Sequence, residues 1–262
     1  MTLSSDDLKR CCARAYQHDV VALVLGDSYH PGGRELTRRL ARRLGLRPGE
    51  RVLDIASGPG STALLLASEF AVSVDGVDLG ADAVAAARAR AADRGLAEHV
   101  RFYVADGERL PIADGSVDAV ICECALCTFP DKPRGASEMA RVLRPGGRVG
   151  ITDVTLDRAR LAPELASLAG WVACLADARP VADHRRLLES AGLRVTLTEP
   201  HDDALAKMIE KIDARLTALA MIKPPVLRGI DIDDVRDKVA MAANAVREGT
   251  AGYSLIVAGK DP

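Results

Sequence analysis

The sequence predicts an α/β fold built on a doubly wound, mostly parallel sheet. Three observations carry that prediction. From Arg51 to Val195, short apolar runs alternate with longer helical patterns, the signature of β-α-β units. The first run ends in a glycine-containing turn, Asp54-Ile-Ala-Ser-Gly-Pro-Gly60, that leads straight into an apolar helix. The next two runs end at or near Asp78 and Asp106, at the strand ends where parallel sheets gather ligands.

The elements justify themselves in order. A helix over Arg34–Leu44 precedes the first strand, Val52–Ile55, and the helix Thr62–Phe70 follows the turn. The strand Ser73–Val77 then leads to an alanine-rich helix, Ala81–Arg94, which ends at Gly95, a residue suited to a left-handed cap. Val100–Val104 and Ala119–Cys122 are the third and fourth strands. Lys132–Leu143 is a helix stopped by Arg144-Pro-Gly-Gly147, where proline and paired glycines forbid continuation, and the strand Arg148–Asp153 comes next. Helices over Ala162–Leu175 and Val181–Ala191 precede the strand Arg194–Thr198. From Asp202 the pattern changes. Asp203–Met221 is one long amphipathic helix with Leu205, Met208, Ile209, Ile212 and Leu216 on a single stripe; a second helix spans about Ile232–Arg247, and Gly252–Ala258 is the final strand.

The turn has a specific chemistry. Gly58 and Gly60 allow positive φ and close ligand approach, and the helix that follows points free N–H groups at the site. The G-x-G-x-x-G spacing of dinucleotide folds is missing, and Asp54 inside the turn would repel a pyrophosphate, so a cofactor with a positive or zwitterionic end fits better. Asp78 lies about 20 residues past Gly58, the distance at which a carboxylate reaches ribose hydroxyls. Each aspartate alone reads equally well as a helix N-cap, but three at consecutive strand ends beside a glycine turn form a pattern.

On these residues the chain resembles the class I S-adenosylmethionine-dependent methyltransferases, whose first motif is D-x-G-x-G-x-G; Ala56 stands here for the first glycine. The resemblance covers roughly Leu46 to Leu193 and takes in Leu110–Val120 and Ala140–Gly147. It implies a Rossmann-like, seven-stranded sheet with an antiparallel last strand, and S-adenosylmethionine as cofactor. Asp54, Ala56, Ser57, Gly58, Gly60, Asp78 and Leu79 would hold it, with Asp106 accepting from the adenine amino group, Gly107 lining the ring and Glu123 at the fourth strand's end. The expected organisation is an N-terminal helical lid over 1–45, a cofactor core over 46–200, a helical insertion over 201–250 and the core's last strand over 251–262. The insertion covers the substrate side or forms a homodimer face.

Methyl transfer demands alignment of nucleophile, methyl and sulfur, and a base only when the acceptor bears a proton. Around the methyl, the lid Leu25–Gly33 offers Asp27, Tyr29 and His30; His30 is the candidate base, since histidine titrates near neutrality. The same lid also fits an ordinary helix-entry turn. The series Cys122–Lys132, Thr152-Asp-Val154, Gly170–Ala178 and Leu187–Leu193 resembles the arsenite methyltransferases, in which a cysteine matching Cys174 binds trivalent arsenic. Thiolates suit a soft metalloid. That family also uses cysteines in the lid and near the final strand, and this chain has neither, so Cys124, Cys127 or the Cys11-Cys12 pair are the candidate helpers and Cys174 as a packing residue stays open. The alternative acceptor is a small organic metabolite methylated on oxygen, nitrogen or carbon.

Composition bounds the rest. At 262 residues with net charge −2 and interspersed signs, no basic face for nucleic acid is visible. No run approaches the roughly 18 apolar residues of a membrane span and no leader pattern opens the chain, so a soluble, cytoplasmic enzyme acting on a small molecule is expected. Six cysteines read as reduced thiols, and Cys122-x-Cys-x-x-Cys127 lacks the second pair a zinc site needs. A non-catalytic binding module that kept the pocket is the rival reading from another class.

Overall fold

The computed structural model describes residues 7, 9, 13, 14, 16, 19–26, 29–160, 177–222, 224–227 and 229–262. Seven strands form one sheet in the order β3-β2-β1-β4-β5-β7-β6. They are β1 (Arg51–Ile55), β2 (Ser73–Asp78), β3 (Val100–Val104), β4 (Val117–Glu123), β5 (Leu143–Leu156), β6 (Leu193–Pro200) and β7 (Ala251–Lys260). The first five pair in parallel, while β7 runs antiparallel to both β5 and β6. This is the Rossmann-like arrangement the sequence predicts.

The helices are α1 (Asp19–Leu25), α2 (Gly33–Leu44), α3 (Ser61–Phe70), α4 (Ala81–Asp93), α5 (Lys132–Val142), α6 (Val181–Ser190), α7 (Asp202–Ile222) and α8 (Ile232–Arg247). The helix expected over 162–175 lies outside the described residues. Both faces of the sheet are covered, so strand residues alternate between two apolar clusters: Val52 joins α2, α3 and α4, whereas Leu53 joins α5 and α6. That double burial explains why β1 and β7 read as continuous apolar runs. Strand order reverses between β1 and β4, which opens the crevice at their carboxyl ends.

One boundary differs from expectation. Arg144-Pro-Gly-Gly147 is not a turn ahead of the fifth strand but part of it: Leu143 already pairs with Val117, and the register then shifts so that Arg148 meets Ala119. The Pro-Gly-Gly segment is the irregularity, with Gly146 at φ 73°, and it inserts extra residues into pairing that resumes beyond it.

The insertion lies on the face that carries α2. Leu205, Ile209 and Leu216 of α7 are buried, α8 buries no residue fully, and α7 packs against α8, β7 and α1. No helix among the described residues is long and apolar enough to cross a membrane.

Candidate functional site

A cavity of about 380 Å³ opens at the carboxyl ends of β1 to β4, within the size range of small-molecule sites. The glycine turn forms one wall. Ala56 adopts φ 57°, which explains why the motif usually has glycine there, and Gly58 and Gly60 take φ 50° and 82°. The two glycines serve different ends. A Cβ at Gly60 would strike the Phe102 ring at 2.8 Å, so packing requires it, whereas a Cβ at Gly58 would meet nothing within 4 Å and the backbone there faces open cavity.

Asp54, from the buried end of β1, lines this cavity and is 2 % exposed. Burial pushes its carboxyl well above the usual range, and the nearby Glu123 and Asp78 carboxylates push it further. Its Oδ2 is buried with no hydrogen-bond partner among the described residues. Asp78 ends β2, and its two oxygens accept from Gly58 N at 2.8 Å and Gly80 N at 2.7 Å, so it braces the turn while facing the site. Burial raises its carboxyl too, opposed by those two amides. Ser57 and Leu79 flank these groups on the cavity wall.

Asp106 lies at the far end beyond β3. One oxygen accepts from Glu108 N at 2.9 Å, and the other accepts from Lys9 Nζ at 2.8 Å; the same ammonium also pairs with Glu108. Gly107 has no room for a Cβ, which would meet Phe129 Cζ at 2.6 Å and Ile55 at 2.9 Å. Lys9 and Phe129 therefore shape the expected adenine end, and both went unforeseen in the sequence.

Glu123 closes β4 with its side chain 5 % exposed. Its carboxylate accepts from Thr62 Oγ1 at 2.7 Å and Thr37 Oγ1 at 2.9 Å, and His30 Nε2 stands 3.6 Å away. The His30 ring is turned by its Nδ1 contact with the Pro31 carbonyl at 3.1 Å, since a carbonyl oxygen only accepts. Tyr29 lies across the cavity with its ring centroid 6.5 Å from that of Tyr16. Thr37 carried a faint signal in the sequence: it sits on the buried stripe of α2 with Leu36, Leu40, Ala41 and Leu44, where a hydroxyl must find a partner.

The cysteines separate. Cys124 lines the cavity with a left-handed backbone, φ 53°, and its N–H donates to the Thr152 carbonyl at 2.6 Å. Cys127 is 1 % exposed, packs in the core and is not on the cavity wall; its N–H donates to Asp153 at 2.7 Å. Asp27 and Cys174 lie outside the described residues.

Asp54, Asp78 and Glu123 converge on one cavity, with neutral donors only: backbone amides for Asp78 and the Thr37 and Thr62 hydroxyls for Glu123. An unpartnered carboxylate oxygen and an open glycine wall fit a ligand carrying positive groups, such as a sulfonium and an ammonium, and do not fit a pyrophosphate. A test follows for Asp54. Because its folded-state pKa is raised, the folded protein binds that proton more tightly than the unfolded chain, so stability falls as pH rises from about 4 through the raised value. Asp54→Asn removes the cost, and thermal unfolding without cofactor is expected to show a higher Tm than the parent at pH 7. The gain is largest at neutral pH and vanishes below about pH 4, where the parent carboxyl is protonated in both states.

Residues 52–147 match a family model described as a methyltransferase domain. An arsenite methyltransferase of Halobacterium salinarum is 37% identical over 166 residues, 61% of this chain and 41% of that protein. Methyltransferase GfsG of Streptomyces halstedii is 34% identical over 170 residues, 64% of this chain and 61% of its own length. The chain thus spans about half the length of these curated relatives. Among solved structures, the Haemonchus contortus phosphoethanolamine N-methyltransferase 2, in complex with phosphomonomethylethanolamine and S-adenosylhomocysteine, superposes with a TM-score of 0.80 at 21% identity, over 100% of this chain and 61% of that one. Residues 52–147 thus match a methyltransferase domain, and the chain shares the fold of that solved N-methyltransferase.

Proposed function

We propose that the chain methylates a small molecule bound beneath Tyr29 and His30, and that the acceptor is a soft nucleophile, trivalent arsenic or a thiol, engaged by Cys124. S-adenosylmethionine supplies a methyl already activated on a sulfonium. The protein's task is then alignment and exclusion of water. Asp78 sets the glycine turn, and Asp54 offers a buried anionic contact to the cofactor's cationic end. Glu123, held by Thr37 and Thr62, faces the reacting centre, where it complements positive charge and receives the proton that a thiol acceptor gives up. The observation that carries the soft-nucleophile reading is Cys124 on the cavity wall next to Glu123, and the resemblance to an arsenite methyltransferase supports it.

A second reading has its own observation. The 3.6 Å approach of His30 Nε2 to Glu123 suits proton removal from an organic hydroxyl or amine. The two readings separate on thiol dependence. With arsenite and glutathione, the parent is expected to yield methylated arsenic and S-adenosylhomocysteine, and Cys124→Ala is expected to lower that turnover at least about 100-fold with cofactor affinity unchanged. An unaffected Cys124→Ala, together with an organic acceptor whose turnover His30→Ala removes, would establish the second reading instead. Release of S-adenosylhomocysteine with any acceptor rules out a binding module.

A further inference from the structure

We infer that Arg215, on the helical insertion and 190 residues away in sequence, is a positioning residue for the cofactor site. Its guanidinium sets the direction in which the chain leaves α1 toward Tyr29 and His30. Helix α1 has no basic residue in its last turn, so its terminal carbonyls lack the local cation that commonly satisfies a helix C-terminus. Arg215 supplies one from α7: Nη1 donates to the carbonyls of Val24 at 2.9 Å and Leu25 at 2.5 Å. The contact is charge-assisted and complements the negative end of the helix.

Gly26 completes the joint. It takes φ 71°, and the guanidinium occupies the space its side chain would fill: a Cβ there would lie 2.5 Å from Nη2, 2.7 Å from Nη1 and 2.8 Å from Cζ of Arg215. The glycine is therefore needed both for the left-handed turn that ends α1 and for the seat of the arginine. A few residues on, Tyr29 and His30 stand on the cavity wall, and His30 O accepts from Gly33 N at 3.3 Å before α2 begins. α7 is itself anchored through buried Leu205 and Ile209 against the core. A rigid element thus fixes the entry to the site, and the insertion contributes to cofactor binding without lining the cavity.

The anchoring is independent of which acceptor is used, and only its consequence for cofactor affinity rests on the methyltransferase reading, so two readouts keep the ideas apart. Hydrogen–deuterium exchange of the cofactor-free protein over 19–36 reads the joint. Arg215→Ala is expected to speed exchange of the Gly33 amide and its neighbours about tenfold, while the sheet is unchanged. Arg215→Lys, which keeps a cation on a stem that folds readily, is expected to fall between. Gly26→Ala, acting from the other side of the joint, is expected to produce the same loosening, and the double variant should show less than the sum because the two residues share one contact. Calorimetry with S-adenosylhomocysteine reads the consequence: a severalfold loss of affinity in each single variant, accompanied by a higher KM more than a lower kcat once an acceptor is in hand. Unchanged exchange over 19–36 in both single variants, or strictly additive effects in the double variant, overturns the inference. Loosened exchange with cofactor affinity unchanged overturns the positioning role and leaves Arg215 a structural cap. A parent protein that binds no S-adenosylhomocysteine counts against the methyltransferase reading alone.

Discussion

Asp78→Ala is expected to weaken S-adenosylhomocysteine binding by about 100-fold, the largest affinity loss of any single change at the turn. The carboxylate serves two partners at once. Toward the protein it accepts from the Gly58 and Gly80 amides, and a hydrogen bond to a charged group is worth about 1.5–3 kcal/mol. Toward the cavity it would present the acceptor that a ribose diol requires. Alanine removes both, leaving two loop amides to be satisfied by water and the turn free to drift. With each tenfold worth about 1.4 kcal/mol, losing the equivalent of one such bond to the cofactor and part of the loop's preorganisation reaches two decades. Asp78→Asn keeps one accepting oxygen but turns an N–H toward an amide, so roughly a tenfold loss is expected. Calorimetry at one ionic strength checks both, and an alanine variant that binds as tightly as the parent would refute the ribose assignment.

Much of this site was legible in the sequence because its signals are local. The strand ends that deliver Asp54, Asp78 and Asp106 announce themselves as apolar runs followed by turn formers, and the glycine turn carries its own spacing. The seven-stranded sheet with its antiparallel last strand followed from resemblance, since no periodicity in β7 says that it slots antiparallel between β5 and β6. The bulge at Pro145 and Gly146 was invisible for a different reason: proline and glycines signal a break in regular backbone, yet pairing on both sides of a break depends on the neighbouring strand, here Val117 and Ala119. The Thr37 and Thr62 hydroxyls that hold Glu123 come from two different helices, 86 and 61 residues from the carboxylate in sequence, and nothing in either helix encodes that meeting. Lys9 and Arg215 are of the same kind. Each is an ordinary surface-type cation by sequence, and only the packing of remote elements turns one toward Asp106 and the other toward the end of α1.

Glu123→Gln is expected to lower kcat by about 100-fold or more while changing S-adenosylhomocysteine affinity less than about threefold, a split that assigns the carboxylate to the reacting centre rather than to cofactor retention. The hydrogen bonding explains the asymmetry. Thr62 and Thr37 both donate to the same oxygen, Oε2, at 2.7 and 2.9 Å, so a glutamine that places its amide oxygen there keeps both bonds and gives up only the longer contacts to Oε1. The side chain remains in place at some cost, and the negative charge is lost. That charge is the only feature of Glu123 that complements a developing cation or receives an acceptor proton, so the loss should fall on turnover. Thr37→Val tests the same point from the scaffold: it removes one donor without touching the charge, and about a tenfold lower kcat is expected with cofactor affinity again unchanged. If Glu123→Gln turned over within twofold of the parent, or if it lost as much cofactor affinity as Asp78→Ala, the carboxylate would belong to the cofactor's cradle, as its place at the end of β4 beside Asp54 would then require.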